Sequence, residues 1–230
     1  MDYSAHSANV GTEGCPRRAG AVLILAQALL LSGCTPPSAP PPTPARVPRT
    51  DVRVTVTADN KYALYQGSLN GDHLEFIGRN EVGRGGDWEK PEEYSLSLNQ
   101  DDYPFFLAWD WGGPQMLIAQ LELSDGTKQV SSRSDWLCAA VDIANPGASG
   151  SVPALQVVSS VIHSAEWTPP AESAPNGTAP WGSIPKVSPS AQFIWPDGFA
   201  SSVESDKKVA LCRPDHPPGA LGSKSPRVPE

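Results

Sequence analysis

Carboxylates are the groups in this chain whose spacing could support catalysis. They form the pairs Glu92–Glu93 and Asp101–Asp102, followed by the single Asp110. Two carboxylates flanking a sugar bond could act as the acid and the nucleophile of glycoside hydrolysis. Adjacent acids on a strand, however, point to opposite faces, and acids in a turn face water. We therefore interpret Asp101 and Asp102 as candidate calcium ligands on a turn, and we predict that the protein is not an enzyme.

Other catalytic and metal-binding patterns are missing from the sequence. It has no Gly-x-Ser-x-Gly turn to present a nucleophilic serine. His73, His163 and His216 are isolated from one another and from the cysteines, which disfavours a zinc site. The glycine-rich stretch at 83–86 is not followed by Lys-Ser or Lys-Thr, so it does not predict a phosphate-binding loop.

Tryptophans give a better indication of binding. Trp88 lies in a charged, glycine-rich segment (79–93), and Trp109 and Trp111 flank Asp110. An aromatic ring offers an apolar face with specific stacking geometry, and a nearby polar group can orient a ligand. We predict that Trp88, Asp110 and Trp111 contact a ligand, whereas Trp109 belongs to the core. The alternative is that the tryptophans plug the ends of a β-sandwich.

A short apolar segment ends at Cys34. Arg17 and Arg18 precede the uncharged run 19–31, about thirteen residues long. A transmembrane helix needs roughly twenty such residues, so this length fits the core of a secretion signal. The sequence Leu-Ser-Gly-Cys at 31–34 resembles the lipobox of bacterial lipoproteins. That resemblance implies cleavage before Cys34 and lipid on its thiol. An ordinary signal peptide with an incidental cysteine, or a short buried helix, are the alternatives.

The chain divides into four parts. Residues 1–33 form the predicted signal peptide, and 34–50 the lipidated cysteine with a proline-rich spacer, which cannot pack as helix or sheet interior. Residues 51–213 form the predicted domain, and 214–230 a polar, flexible tail. Charged residues are only 18% of the chain, the net charge is −8, and no basic face is visible, so we expect no nucleic-acid partner.

Two of the four cysteines remain for the domain. Cys15 would leave with the signal, and Cys34 would carry lipid. In an oxidising compartment the remaining pair, Cys138 and Cys212, predicts a disulfide. Two separate buried thiols are the alternative.

Short strands at intervals of about ten residues predict an all-β fold. Val52, Val54 and Val56 alternate with polar residues, and Asn70-Gly71 is a hairpin signal before the segment 73–78. Further strands are predicted at 94–99, 104–110, 115–123, 191–195 and 207–213. The segment 151–167 fits either a helix or a strand. We predict one antiparallel, jelly-roll-like β-sandwich.

Two segments carry a resemblance to a known superfamily. They are VTVTADNKYALYQGSLNGDHLEFIGRNE and YSLSLNQDDYPFFLAWDWGGPQMLIAQLELSDG, with Trp181 and Trp195 in the later PWGSI and AQFIW. They resemble extracellular jelly-roll domains of the galactose-binding-like superfamily. The resemblance covers about residues 51–213 and implies a sandwich that binds glycans or proteins, often with calcium. Gln66-Gly67 departs from its usual Asn-Gly, which implies a longer first hairpin.

Together these patterns predict a non-catalytic binding or adhesion module on the cell envelope. A membrane would hold it through the lipid on Cys34, and its ligand would be a glycan or a surface protein. Thr35, rather than aspartate, follows the cysteine, which favours the outer membrane in a bacterium that has one. The alternatives are a structural subunit of an envelope complex and an accessory domain of a glycan-processing enzyme.

Overall fold

The computed structural model describes residues 48–80, 88–110, 112–146, 151–197 and 209–221. These residues form eleven strands and two short helices. The strands are β1 (Arg49–Asp59), β2 (Lys61–Ser68), β3 (Glu75–Arg79), β4 (Glu92–Asn99), β5 (Asp102–Trp109), β6 (Met116–Leu123), β7 (Lys128–Val130), β8 (Trp136–Val141), β9 (Glu172–Pro175), β10 (Gln192–Trp195) and β11 (Val209–Pro214). The helices are α1 (Leu155–Ser164) and α2 (Pro218–Leu221).

The strands form two antiparallel sheets that face each other, which confirms the predicted all-β sandwich. The first sheet has the order β4-β1-β6-β10-β9, with β7 attached to β6. The second has the order β3-β2-β5-β11-β8. Side chains from both sheets share one buried cluster, so the two sheets pack face to face. The edge strands β4 and β3 lie on one side of the sandwich, where they line a common groove.

The inner core follows from the alternation in the strands. Val52, Val54 and Val56 of β1 point inward, where they meet Phe106 of β5 and Leu121 of β6. All of these side chains are at most 2% exposed. At roughly 25 cal/mol per Å² of apolar surface removed from water, this layer is the main stabilising contact between the sheets.

A second apolar layer covers the outer face of the β3–β8 sheet. Phe105, Leu107 and Trp109 point to this face, and Val158 and Ile162 of α1 pack on it. The ambiguous segment 151–167 is therefore a helix over Leu155–Ser164, because its apolar positions recur at helical spacing. The chain makes room for the helix at Gly71, where a side chain would contact Ile162 and where φ is +76°.

A third layer covers the outer face of the other sheet. Trp181, Ile184 and Val187 come from the segment 176–191 and pack on Ile118 and Phe193. The indole nitrogen of Trp181 donates a hydrogen bond to Asp59 Oδ2 at 3.0 Å. Burial raises the pKa of Asp59, and the Trp181 hydrogen bond opposes that rise. This bond joins the covering segment to the end of β1.

The far side of the sandwich is fixed by a covalent bond and a buried cation. Cys138 and Cys212 face each other on β8 and β11 and form the predicted disulfide, which is therefore confirmed. Next to Cys212, the Arg213 guanidinium lies 4.8 Å from the ring centre of Tyr103 and 4.7 Å from that of Trp167. Thr168 forms a bridge with Cys138, which covers part of the outer edge of β8.

The observed fold extends beyond the predicted domain at both ends. Strand β1 begins at Arg49 rather than 51, and ordered structure continues through α2 to Leu221, so residues 214–221 are not a frayed tail. Cys34 and the spacer up to residue 47 lie outside the described residues. Neither helix in the described ranges has the length and apolarity needed to cross a membrane.

We predict that removing the disulfide lowers the free energy of unfolding strongly. The two cysteines are 74 residues apart, so the bridge restricts a long loop of the unfolded chain. In the chain-entropy model, loss of such a bridge costs about 4 kcal/mol. Urea unfolding of the Cys138→Ala, Cys212→Ala double variant measures this cost, with Cys34→Ala as the control that leaves the bridge intact. A cost below about 1 kcal/mol would contradict the prediction.

Candidate functional site

A groove lies between the edge strands β3 and β4, one from each sheet. One wall is β3, the edge of one sheet, and the other is the start of β4, the edge of the facing sheet. Its volume is about 610 Å³. The residues that line it are aromatic, aliphatic and charged: Phe76, Ile77, Gly78, Arg79, Glu92, Glu93 and Tyr94. Mixed apolar and polar lining of this kind is typical of ligand sites.

Three hydrogen-bonding groups hold the β4 wall in place. Tyr94 donates its hydroxyl proton to Glu92 Oε2 at 2.6 Å, and the hydroxyl of Tyr62 lies 3.0 Å from the same oxygen. The two hydroxyl oxygens are also 3.0 Å apart, and the rings meet edge to face. Tyr62 is completely buried on β2. Burial, followed by the neighbouring Tyr94 and Glu92, raises the pKa of Tyr62, so its hydroxyl acts as a neutral donor.

Glycine at position 78 allows the two walls to meet. A Cβ atom there would overlap the ring of Tyr94, because the ring lies directly against the β3 backbone. Ring and backbone thus close the bottom of the groove. With its hydroxyl bonded to Glu92, Tyr94 is held in one orientation, and a site that is already ordered costs less entropy to occupy.

Arg79 lies at the end of the groove nearest the β1–β2 turn, and Lys61 is close enough to feel its charge. Arg79 is exposed at the end of β3, whereas Lys61 is 7% exposed at the start of β2. Burial lowers the pKa of Lys61, the charge of Arg79 lowers it further, and Glu92 opposes both. Asn80 fixes this corner: it accepts from the Tyr62 backbone N–H and donates to the Asn60 carbonyl, each at 3.0 Å.

Phe76 lies on the outer rim of the same strand. It is 40% exposed, and its ring centre is 5.6 Å from that of the buried Tyr65. The pairing of β2 with β3 is regular except for a bulge, which shifts the register between Leu64 and Tyr65. Tyr65 therefore pairs with Phe76, and Ala63 with Arg79. As a result, Phe76 and Arg79 occupy the same face of the sheet, although they are three positions apart in sequence.

Trp88, one of the two tryptophans predicted to bind a ligand, is not among the residues that line this groove. Trp88 is half-buried and packs against the outer layer formed by Trp181, Ile184 and Phe193. Trp111 lies outside the described residues. Trp109 is 1% exposed, as expected for a core residue. Trp88 thus packs on the outer face of a sheet, whereas the alternative considered from the sequence was a ring that plugs an end of the sandwich; its contact with a ligand stays a prediction.

Asp110 organises the chain where β5 ends. It is 1% exposed, its Oδ2 accepts a hydrogen bond from the Gly112 backbone N–H at 3.0 Å, and its carbonyl accepts from Asn145 at 2.6 Å. The turn continues through Gly113 at φ +106°, a conformation that favours glycine. These contacts give Asp110 a structural role, and its contact with a ligand stays a prediction.

The acids proposed as calcium ligands lie in the turn between β4 and β5. Asp102 Oδ2 accepts from the backbone N–H of Asn99 at 3.1 Å and from its side-chain amide at 2.6 Å, which closes the turn. Asp101 is exposed. In the described part of the chain, no three His, Cys, Asp or Glu side chains group as a metal site would require. The calcium site therefore stays a prediction without a supporting ligand set.

Sequence reasoning located part of the groove. The predicted binding segment 79–93 contains Arg79, Glu92 and Glu93, which line it. It missed Tyr62, Phe76 and Tyr94, because each sits in an ordinary strand pattern. The available signal was the pair Glu92 and Tyr94, two residues apart and therefore on one face of a strand.

Comparison with known proteins gives no relative. No protein-family model, curated protein or solved structure matches the chain.

We predict that Gly78→Ala destabilises the protein by about 1–3 kcal/mol, the usual cost of forcing extra volume into a packed site. The added methyl group would displace the Tyr94 ring and break its hydrogen bond to Glu92. Urea unfolding measures the change, and the same substitution in a Tyr94→Ala background is the matched control. Equal costs in the two backgrounds would show that contact with Tyr94 is not the cause.

Proposed function

We propose that this protein is a non-catalytic binding module, tethered to the cell envelope through lipid on Cys34 and a proline-rich spacer. Its ligand is a glycan or a surface protein. The lipobox-like sequence at 31–34 and the seven prolines in 36–48 support the tether. A tether of this kind presents the sandwich to molecules outside the membrane, where a binding surface is useful.

The groove between β3 and β4 is the observation that carries the binding role. Along this groove the Tyr94 ring is held by Glu92 at 2.6 Å, and the Phe76 ring is 40% exposed. Aromatic faces with nearby polar groups suit both pyranose rings and protein side chains. We propose that the ligand contacts the rim residues Phe76 and Arg79 above the Tyr94 ring; the contact with Asp110 stays a separate prediction.

We expect Cys34→Ser to release the protein from the membrane or to leave an uncleaved precursor. Lipid on this thiol would be the anchor, and serine cannot accept it by the same thioether chemistry. Detergent-phase partitioning and the mass of the mature protein measure the outcome. Cys34→Ala should behave in the same way, whereas Cys15→Ser should change neither property. Unchanged partitioning in the Cys34 variants would contradict the anchor.

We expect a ligand to contact Phe76 in the intact cell. If the ligand is a protein, a photo-crosslinking amino acid in place of Phe76 should give a discrete protein adduct. If it is a glycan, the purified full chain should bind defined glycans on an array, which is run once with calcium and once without it. The matched position is Leu155, which is similarly exposed on α1 but outside the groove. The Arg79→Glu change should reduce either signal, because the cation lies on the same rim.

The same experiment distinguishes the other outcomes. Glycan binding that survives changes at Phe76 and Arg79 would place the site elsewhere. Adducts from position 155 but not from 76 would favour a structural subunit that packs through the helix. If neither adducts nor glycan binding were detected, the binding function would be contradicted.

A further inference from the structure

The groove lies between two strands that each have one open edge in the described part of the chain. Strand β3 pairs with β2, and β4 pairs with β1. On the opposite side of the sandwich, Thr168 bridges the edge strand β8. An open strand edge presents backbone N–H and C=O groups that can pair with another chain. The length of β3, five residues, corresponds to about 16 Å of extended backbone.

We propose that the groove binds an extended segment of a partner protein, which adds as a strand to the β3 edge and meets Phe76 and Arg79 with its side chains. This inference rests on the proposed binding function and specifies the partner. In strand addition, backbone hydrogen bonds provide affinity, and alternate side chains provide specificity. The inner and outer faces of an added strand would meet different groups of β3 and β4.

The inner face of the added strand would meet the apolar floor of the groove. The bulge directs Ile77 and Gly78 toward the space between the sheets, where the Tyr94 ring lies. Because the Tyr94 ring already fills this floor, the added strand would place small or medium apolar side chains above it. The hydrogen bonds from Tyr94 and Tyr62 to Glu92 keep the floor in place before any ligand arrives.

The outer face of the added strand would meet one apolar and one cationic group. Phe76 offers an exposed ring, and the exposed Arg79 is the cation among the residues that line the groove, on the opposite wall from Glu92 and Glu93. Opposite charges and aromatic–aliphatic pairs are the favourable cross-strand neighbours. The partner therefore carries a large apolar side chain beside Phe76 and a carboxylate beside Arg79.

The register of β2 and β3 fixes the spacing of these two partner residues. Phe76 pairs with Tyr65 and Arg79 pairs with Ala63, and these two partners are two positions apart on β2. A regular strand beside β3 therefore faces the two rim residues with positions that are also two apart. An added strand without a bulge would therefore meet them with residues at i and i+2. If it runs antiparallel to β3, as all strand pairs described in this fold do, the acidic residue comes first: Asp/Glu-x-large apolar. The bulge and the short length of β3 also discourage indiscriminate pairing with other edges.

Selection of phage-displayed linear peptides on the full chain in detergent tests this motif. We expect enriched peptides to share an acidic residue two positions before a large apolar one. Binding of a selected peptide should weaken about tenfold or more in Phe76→Ser and in Arg79→Glu, and change by no more than about twofold in Leu155→Ser and Arg49→Glu. Replacing the peptide's acidic residue with lysine should restore binding to Arg79→Glu. Amide hydrogen exchange should slow within Glu75–Arg79 when the peptide binds.

Each other result counts against strand addition. Enriched peptides without the motif, or binding that the Phe76 and Arg79 changes leave intact, would overturn it. So would protection of amides only outside β3. If position 76 gives adducts or the chain binds glycans, but no peptide motif is enriched, strand addition alone is overturned. If adducts, glycan binding and the peptide motif are all absent, the binding function is overturned as well.

Discussion

Burial of β5 on both of its faces is the constraint that shapes the rest of the molecule. Every side chain from Tyr103 to Trp109 is buried, with Phe106 and Ala108 facing the other sheet and Phe105, Leu107 and Trp109 facing away from it. A strand in a simple two-layer sandwich would expose one of these faces to water. This one needs a cover on the outside, and α1 provides it. Strand β6, in the facing sheet, has the same requirement. The segment around Trp181 covers its outer face.

With α1 and the Trp181 segment covering parts of the outer faces, the sheets meet solvent at their edges and on the outer face of β1 and β4. On one side the disulfide joins β8 to β11, Arg213 lies between two aromatic rings, and Thr168 pairs with Cys138. On the other side, Tyr62 of β2 contacts Glu92 and Tyr94 of β4, and these contacts hold the two sheets together behind the β3 edge. The groove lies on this side, where hydrogen bonds at its base join the two sheets; the disulfide on the far side joins two neighbouring strands of one sheet.

The parts of the fold that depend on local pattern could be predicted from the sequence, and those that depend on distant partners could not. Alternation located β1, and Asn70-Gly71 located the turn between β2 and β3. Strand β8 (WLCAAV) shows no alternation, since its position is decided by pairing with β11, more than sixty residues later. The helix could not be chosen over a strand without knowing that an uncovered face of the sheet awaited it. The groove was missed for the same reason: Tyr62 and Glu92 are 30 residues apart, and no local pattern reveals that β3 and β4 become adjacent edges.

The tryptophans illustrate how aromatic content can mislead in a fold with three apolar layers. Trp109, Trp136 and Trp195 are each 1% exposed, and Trp181 is 4% exposed with its indole nitrogen bonded to Asp59. A large ring fills the space between a sheet and its cover efficiently, so an abundance of tryptophan here reflects the number of layers to be filled. What separates Tyr94 and Phe76 from them is their position on open edges, together with the hydrogen bonds that fix Tyr94 before anything binds. In such a fold, the position of an aromatic residue relative to the strand order is better evidence for a binding role than its type or its charged neighbours in sequence.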